Sequence, residues 1–346
     1  MINKDFLFSI IVPVYNTEKY IEKSLNSILK AIKDDCEVII INDGSTDNSE
    51  KKINEFLEKL PSKLKNNFVY TKKENKGLAD TKNVGLDMAH GKYISVVDSD
   101  DCIRDDFYDI ARRYIDDYDM IIYDVYVVFE KDKKLNYISR AKQDYKENDM
   151  VAILNGAISG SSCNKIIKKE LYNGYRFPVG KQYEDTAVTP FIISDAKKIK
   201  YVPYPMYYYL QREKSIVATN TYMSAYYKIC ENISEVLRKD NKDMEKYKYV
   251  INEFFADRIL DILTQELNEN KGKMNDNLQK FSNNNKEVLN YIIDSNMIYT
   301  IENHYSERQK KLVVEIIEDL KNNNSKNVVK VLKIRKIINK LRSIRR

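Results

Sequence analysis

The chain has 346 residues, of which 43% are hydrophobic and 32% are charged, and its formal net charge is +6. This balance excludes wholesale disorder, and the length predicts two domains because single cores rarely grow beyond ~250–300 residues. Nine Lys and Arg residues and no acid lie between positions 326 and 346, so the rest of the chain carries a net charge of −3.

Targeting segments and metal-binding cysteine motifs are missing from the sequence. It shows no signal-peptide pattern at its N-terminus, and no run approaches the ~20 apolar residues that cross a bilayer. We therefore expect a cytoplasmic protein. The four cysteines are dispersed without a CxxC pair and only two histidines are present, which predicts buried, reduced thiols rather than a zinc site.

The first sixty residues predict two strand–helix units. Phe6–Val12 is an apolar, β-branched run that predicts a strand, and the apolar spacing after Thr17 predicts a helix. Glu37–Ile41 predicts a second buried strand. A turn at Asp43-Gly44 and another amphipathic helix follow it.

Two further strands complete a predicted parallel sheet. They are expected at Phe68–Thr71 and Tyr93–Val97, with a helix over Gly77–Ala89 between them. Apolar strands that alternate with helices indicate a parallel sheet covered on both faces. Ligands of such sheets bind beyond the carboxyl ends of the strands.

The pattern changes twice in the rest of the chain. Strands are predicted at Met120–Phe129 and Lys200–Tyr204, with a helical stretch around Met150–Leu154. Strand patterns end near Thr219 and helical periodicity follows. We therefore predict an α/β domain over residues 1–218 and an all-α domain over residues 219–346.

Three carboxylates directly follow the fourth strand, at Asp98, Asp100 and Asp101. Carboxylates this close behind an apolar strand are tolerable when a cation neutralises them. Their hard oxygen atoms suit Mg²⁺ or Mn²⁺, which commonly bridge to the phosphates of a nucleotide diphosphate. The alternative is an acidic loop or a helix N-cap, a role that suits Asp101 in particular.

Polar motifs end three of the predicted strands in this order: PVYN (13–16), NDGSTD (42–47) and DSDD (98–101). With them the sequence resembles family 2 glycosyltransferases of the GT-A fold, an inverting family that builds bacterial surface polysaccharides such as capsule and cell wall. The implied fold is a Rossmann-like, mostly parallel sheet flanked by helices. The resemblance rests on segments 9–29, 37–49, 75–101, 163–172, 183–186 and 207–216.

The resemblance implies a pocket for the nucleotide of a UDP-sugar. Pro13, Tyr15 and Asp43 would line the uracil and ribose pocket, with the Asp43 carboxylate accepting the uracil imide hydrogen. Asn75 and Lys82 would also face the nucleotide. Arginine is common in the family at the position of Lys82, and a lysine lacks the bidentate fork of a guanidinium.

The resemblance also implies a phosphate and metal site. Asp98 would hold the ribose and contribute to the metal, Asp100 would hold the Mn²⁺ or Mg²⁺, and Ser99 lies between them. Arg212 and Ser215 match the segment that closes on the pyrophosphate in this family. The alternative for Arg212 is a solvated surface arginine.

The implied catalytic residues are Glu184 and Asp185. An attacking acceptor hydroxyl must lose its proton, so we expect Asp185 to act as the base and Glu184 to orient or bind the acceptor. The alternative is an acidic pair at a helix N-terminus. Cys163 stands where the family often has Trp, and Tyr207–Tyr209 are candidate sugar-stacking surfaces.

The basic C-terminus, residues 326–346, predicts an amphipathic helix. Its apolar stripe and surrounding Lys and Arg suit the surface of an anionic membrane, on the inner face of the cell membrane where a lipid-linked acceptor would lie. The alternative is a terminal helix that packs on its neighbours. Nucleic-acid binding is disfavoured because the tail lacks interleaved aromatic residues.

The predicted function is metal-dependent, inverting transfer of a hexose or N-acetylhexosamine from a UDP-sugar to a hydroxyl of a glycan acceptor, either lipid-linked or part of a cell-surface polysaccharide. A non-catalytic nucleotide-sugar-binding subunit of a synthesis complex is one alternative. A sugar nucleotidyltransferase is another, although the first strand is not followed by a Gly-rich phosphate loop. A dehalogenase-type phosphatase would require aspartates on that strand.

Overall fold

The computed structural model describes residues 5–131, 133–138, 160–212, 222–239, 243–257, 259–269, 272–300 and 305–344. The chain divides into two compact units, Met1–Thr219 and Asn220–Arg346. The predicted helical stretch around Met150–Leu154 lies outside the described residues, as does Ser215.

The strands described in the first unit form one mixed sheet. Its order is β3-β2-β1-β4-β8-β6-β9-β5, and β7 pairs with β6. The strands are β1 Phe8–Val14, β2 Cys36–Asn42, β3 Phe68–Lys72, β4 Tyr93–Val96, β5 Cys102–Ile103, β6 Met120–Phe129, β7 Leu135–Ile138, β8 Lys165–Lys168 and β9 Ile199–Gln211.

The parallel part of the sheet is the part predicted from the first hundred residues. Strands β3, β2, β1 and β4 are parallel to their neighbours, whereas β8 pairs antiparallel with both β4 and β6. β9 pairs parallel with β6 and antiparallel with β5. The helices of this unit are α1 Ile21–Ala31, α2 Ser49–Glu58, α3 Leu78–Met88, α4 Phe107–Arg112 and α5 Thr189–Asp195.

Strand β1 runs through Pro13, although the sequence predicted that the strand would end at this proline. The pairing of β1 with β4 ends at Ile11, which lies opposite Val96. Because alternate residues of a strand hydrogen-bond to opposite sides, the missing N–H of Pro13 falls on the β4 side, where the ladder has already stopped. The β2 side continues to Val14, whose carbonyl accepts from the Asp43 N–H at 2.8 Å.

Helix α3 lies directly against β1 because residue 85 is glycine. A Cβ at Gly85 would lie 2.4 Å from Cγ2 of Ile11, a fully buried side chain of the central strand. Any larger residue would therefore push α3 away from the sheet.

Three of the four free cysteines, Cys36, Cys163 and Cys230, are buried, as predicted, whereas Cys102 is partly exposed. Burial raises the pKa of all four thiols. A thiol held in its neutral form is a poor nucleophile and a poor metal ligand.

Every element described in the second unit is helical. The C-terminal helix, Ser325–Ile344, packs within this unit through Val328 and Leu332, which are buried, while Ile334 is 48% exposed. None of the helices described in the structure is both long and apolar enough to cross a membrane. The helices are α6 Tyr222–Lys239, α7 Lys248–Ile251, α8 Ile259–Glu269, α9 Met274–Asn284, α10 Lys286–Asp294, α11 Met297–Thr300, α12 Glu307–Lys321 and α13 Ser325–Ile344.

Candidate active site

The polar residues after β1, β2 and β4 leave the sheet at one edge. Val14 lies opposite Asn42, and the Val97 N–H donates to the Ile11 carbonyl at 3.0 Å. Tyr15, Asp43 and Asp98 therefore follow the carboxyl ends of adjacent parallel strands, where α/β proteins bind ligands.

The Asp43 carboxylate is held by the loop that leads into α3. It accepts hydrogen bonds from the N–H groups of Lys76 at 3.0 Å and Gly77 at 2.9 Å, and from the Lys73 ammonium. Gly44 has a φ of +67°, and a Cβ there would lie 3.0 Å from the Asn75 nitrogen. These bonds fix an acidic group, only 3% exposed, at the end of β2.

The other predicted nucleobase contacts differ in exposure. Tyr15 is 49% exposed and Asn75 is also exposed, so both are available to a ligand. Pro13 is buried within β1 and has little surface to offer a ligand. It can still shape the rim of the site, which is the edge of the sheet formed by the polar residues after β1, β2 and β4.

Hydrogen bonds connect the loops after β1, β2 and β4 to one another. The Asn16 Oδ1 accepts from the Thr46 N–H at 2.8 Å, and the Thr17 N–H donates to the Ser49 hydroxyl at 2.9 Å. The Thr17 hydroxyl donates to the Ser99 hydroxyl at 3.1 Å. Ser99, a predicted nucleotide contact, is 4% exposed and joins the loops in this structure.

Asp98 lies at the electrostatic centre of the rim. Burial, followed by repulsion from Asp100, Asp185 and Glu184, raises its pKa to about 7, against the opposing effect of the Lys82 ammonium. Its N–H donates to the Tyr207 hydroxyl at 3.1 Å. A carboxyl with these surroundings gains strongly from an added cation.

Asp101 is a structural residue, and the helix N-cap role suggested for it is wrong, because a strand follows it and the next helix has Asp106 as its N-cap. Its carboxylate accepts from the Tyr207 hydroxyl at 2.7 Å and from the Leu210 N–H at 2.7 Å. These bonds connect the loop after β4 to strand β9. Tyr207 is fully buried and cannot stack on a sugar, whereas Tyr208 is half-buried and stacks on Tyr126 at 5.5 Å between ring centroids.

Asp100 faces a cationic side chain. Its Oδ2 lies 2.8 Å from the Arg212 Nε, and the guanidinium lies over the Tyr20 ring at 5.6 Å from the centroid. The Tyr20 hydroxyl donates to Glu130. Arg212 was predicted to face the pyrophosphate, but here it pairs with Asp100, the predicted metal ligand. The guanidinium therefore supplies positive charge where the metal ion was expected.

The donor set at Asp98 and Asp100 fits a hard divalent cation. Among the residues that the structure describes, no group of three or more His, Cys, Asp or Glu side chains is arranged to hold a metal ion alone. Mg²⁺ and Mn²⁺ do not require such a group, because they commonly take one or two carboxylates and complete their shells with water and substrate phosphates.

Lys82 binds the predicted catalytic pair, which differs from its predicted place at the nucleotide. It is 1% exposed, and its Nζ donates to the Asp185 Oδ1 at 2.6 Å, the Glu184 Oε1 at 2.9 Å and the Ser162 hydroxyl at 3.3 Å. The Asp185 Oδ2 accepts from both the N–H and the hydroxyl of Ser162 at 3.1 Å. Glu184–Ala187 form a 3₁₀ turn, entered through Tyr183 in the left-handed region at φ +58°.

The pKa values of Asp185 and Glu184, which both bind Lys82, are shifted in opposite directions. For Asp185, burial alone would raise the pKa, but the Lys82 charge and the hydrogen bonds from Lys82 and Ser162 outweigh it and lower the pKa below its ordinary value. For Glu184, burial dominates and the pKa is raised. Asp185 is therefore the more acidic member of the pair, and its side chain keeps 21% of its surface exposed.

Several side chains that shape this site were not predicted: Lys73, Tyr20, Glu130 and Ser162. The only sequence signal for the pairing of Ser162 with Asp185 is that Ser162 directly precedes segment 163–172, which belongs to the family pattern. Cys163, the departure from that pattern, is buried beside Ser161, whose hydroxyl lies 3.0 Å from its sulfur.

Comparison with known proteins places this geometry in a family. Residues 9–176 match the family model described as glycosyl transferase family 2. The putative glycosyltransferase EpsH of Bacillus subtilis is 31% identical over 72% of this chain and 74% of its own length. Glycosyltransferase GlyG of Streptococcus pneumoniae is 32% identical over 62% of this chain and 73% of its own length.

A solved structure shows the same fold. The crystal structure of Staphylococcus aureus TarS in complex with UDP-GlcNAc has a TM-score of 0.70 and 22% identity, covering 96% of this chain and 92% of that chain. In sequence, the poly(ribitol-phosphate) beta-N-acetylglucosaminyltransferase TarS is 30% identical over 69% of this chain and 42% of its own length. The predicted GT-A fold and the predicted family are confirmed. The chain belongs to glycosyl transferase family 2 and is a glycosyltransferase.

Proposed function

We propose that this enzyme transfers a hexose or N-acetylhexosamine from a UDP-sugar to a hydroxyl of a glycan acceptor, with inversion at the anomeric carbon. The observation that carries the proposal is the link between the two halves of the site. Lys82, on the helix that follows the Asp43 loop, binds Asp185 at 2.6 Å and also acts electrostatically on Asp98. The proposed base, Asp185, and a proposed metal ligand, Asp98, therefore both interact with one buried ammonium.

The nucleotide end of the site favours a uridine donor. Asp43 presents a fixed carboxylate at the end of β2, beside the exposed Tyr15 ring and the exposed Asn75. A carboxylate pairs well with an imide N–H, and an aromatic ring suits a flat base. The complex of TarS with UDP-GlcNAc on the same fold supports this assignment.

The diphosphate would lie between Asp100 and Arg212. Asp98 and Asp100 would hold a Mn²⁺ or Mg²⁺, which when bound would stabilise negative charge on the departing diphosphate. Arg212, 35% exposed at the side chain, can turn from Asp100 to the phosphates. Ser99 and Ser215 are proposed as further contacts at this end.

Asp185 would act as the base. The acceptor oxygen forms a bond to the anomeric carbon while the bond from that carbon to the diphosphate oxygen breaks, and the diphosphate leaves with the electron pair. The hydroxyl proton passes to the Asp185 carboxylate, which is ionised and partly exposed. Glu184, buried beside it, would orient the acceptor side of the site.

A donor panel and two variants test this function. We expect a UDP-hexose or UDP-N-acetylhexosamine with Mn²⁺ to raise the melting temperature most, and Asp100→Ala to abolish the Mn²⁺-dependent part of the shift. Asp185→Asn should keep the shift yet reduce sugar transfer by about a hundredfold or more.

Asp109→Asn, on the exposed face of α4, is the control for a lost carboxylate. A GDP- or dTDP-sugar that binds best would contradict the assignment of Asp43 to uracil. Unchanged transfer by Asp185→Asn would remove it as the base.

We further propose that the acceptor belongs to a cell-wall or capsule polysaccharide and is carried at the inner face of the cell membrane. The relative TarS is a poly(ribitol-phosphate) beta-N-acetylglucosaminyltransferase, which supports the polymer class. The nine basic residues of 326–346 supply charge for an anionic lipid surface. Failure of the full chain to sediment with phosphatidylglycerol vesicles at low salt would overturn the membrane proposal.

A further inference from the structure

We propose that Lys82 is the positioning residue of the reaction centre, which holds the Asp185 carboxylate for proton transfer, and that it is not a nucleotide ligand. This inference rests on the proposed role of Asp185 as the base. It concerns a residue whose position suggested a contact with the nucleotide.

The hydrogen-bonding capacity of Lys82 is used within the protein. A lysine ammonium has three N–H donors and no acceptor. The described residues supply three acceptors, on Asp185, Glu184 and Ser162, at 2.6, 2.9 and 3.3 Å. With 1% exposure and the Phe177 ring 5.2 Å from its Nζ, the ammonium has no donor left for a phosphate or a base.

The same contacts orient the Asp185 carboxylate. Lys82 binds Oδ1, while the N–H and hydroxyl of Ser162 bind Oδ2, so both oxygens are fixed from the protein side. The 21% of the side chain that stays exposed is then the part that can meet an acceptor hydroxyl. A general base must be held in hydrogen-bonding reach of the proton it takes, and this three-point hold provides that.

Lys82 also balances the acids around it. Asp98 after β4, Glu184 and Asp185 all act electrostatically on the ammonium, and Asp185 and Lys82 both act on the hydroxyl of Tyr172, in the 3₁₀ turn at Lys169–Tyr172. Among these groups, Lys82 carries the positive charge that acts on all three acids. Its removal would leave buried carboxylates next to one another, and carboxylates so placed take up protons.

The experiment compares Lys82→Met with Lys73→Met, which removes the ammonium bound to Asp43. For Lys82→Met we expect UDP affinity, measured by calorimetry, to stay within about threefold of the wild type. Its kcat should fall about tenfold or more because the base is misplaced. The lost positive charge raises the pKa of Asp185, so the acid limb of kcat/KM should move up by about one pH unit or more.

Lys73→Met should show the opposite pattern, with weaker UDP binding and an unmoved acid limb. Lys82→Arg keeps the charge and should return the limb towards the wild-type position. Lys82→Gln, which can still donate to a carboxylate, serves if the methionine variant does not fold. Weakened UDP binding with an unshifted limb in both neutral variants would overturn the proposal. Asp185→Asn, assayed in parallel, shows separately whether Asp185 is the base at all.

Discussion

Three neighbouring acids illustrate how one residue type takes different roles in this enzyme. Asp98 faces Lys82 and the other carboxylates, Asp100 pairs with Arg212, and Asp101 binds the Tyr207 hydroxyl and the Leu210 N–H. Successive residues after a strand point in different directions, so their burial and partners differ. A substitution of Asp101 should therefore lower the stability of the fold more than it directly changes the catalytic step.

The hydroxyl of Tyr207 gives a direct test of this structural role. Tyr207→Phe removes the donor to the buried Asp101 carboxylate and the acceptor for the partly buried Asp98 N–H. Leaving such groups unpaired should lower the free energy of unfolding by about 1–3 kcal/mol, measured by urea denaturation.

Tyr208→Phe is the matched control, because this neighbouring ring stacks on Tyr126 without a hydrogen bond from its hydroxyl to the described residues. We expect its unfolding free energy to stay within about 0.5 kcal/mol of the wild type. Equal stability of the two variants would contradict the role assigned to Tyr207.

The residue types of the site could be predicted, but their pairings could not. The aspartates after β2 and β4 and the Glu184-Asp185 pair follow from strand ends and family motifs. The contact between Lys82 and Asp185 joins residues 103 positions apart, and no local pattern records it. Asp101 resembled a helix N-cap in the local sequence. Its true role was not visible there because its partners lie more than a hundred residues later, on β9.

Among the elements, helix α3 connects the two ends of the site. Gly77, its N-cap, donates to Asp43, and Lys82 follows five residues later, about 7 Å along the helix axis. A shift of this one helix would disturb both the nucleotide end and the catalytic pair.

Gly85→Ala tests that connection. The added methyl would lie 2.4 Å from Cγ2 of Ile11, so α3 must move away from β1. Crowding of this kind costs about 1–3 kcal/mol, more than the ~1 kcal/mol that alanine adds to helix stability. We expect lower unfolding free energy, weaker UDP binding and slower transfer together.

The double variant Ile11→Ala/Gly85→Ala supplies the control, since the truncated Ile11 leaves room for the methyl. The two changes should be non-additive, with the pair less destabilising than the sum of the single variants. Additive effects, or a Gly85→Ala enzyme with normal UDP affinity, would contradict the role given to α3.

Local pattern predicted the elements unevenly. The parallel strands β1 to β4 were predicted because each contains an apolar run and because helical patterns separate them along the chain. β9 was predicted only at Lys200–Tyr204 but spans Ile199–Gln211, because its later residues bind Asp101 and pair with β5, which are distant in sequence. Long-range pairing of this kind overrides local propensity.

For the whole molecule, the concentration of basic residues in the tail, 326–346, says more about membrane binding than the net charge of +6 does. The structure supports the packing alternative for the start of α13, through Val328 and Leu332, while Ile334 is exposed. Five of the nine basic residues of the tail follow position 335. Truncation after Arg335 keeps the buried side chains of Val328 and Leu332 and removes these charges, each of which contributes about 1 kcal/mol near an anionic surface.

We expect the full chain to sediment with phosphatidylglycerol vesicles at 0.05 M NaCl, and much less at about 1 M, where the Debye length falls to about 3 Å. The truncated chain should remain in the supernatant at both salt concentrations. Lys51→Gln/Lys52→Gln, which removes two charges from α2, should sediment as the wild type does. Equal sedimentation of the truncated and full chains would contradict a membrane role for the tail.

The hydrogen bonds that join the loops after β1, β2 and β4 have a consequence for the thermodynamics of donor binding. Asn16, Thr17 and Ser99 fix these loops to one another through hydrogen bonds within the protein. The conformational entropy of that part of the rim is lost during folding, so little remains to be lost when a nucleotide binds. Nucleotide selection at this part of the site therefore depends on the fit to a preformed surface.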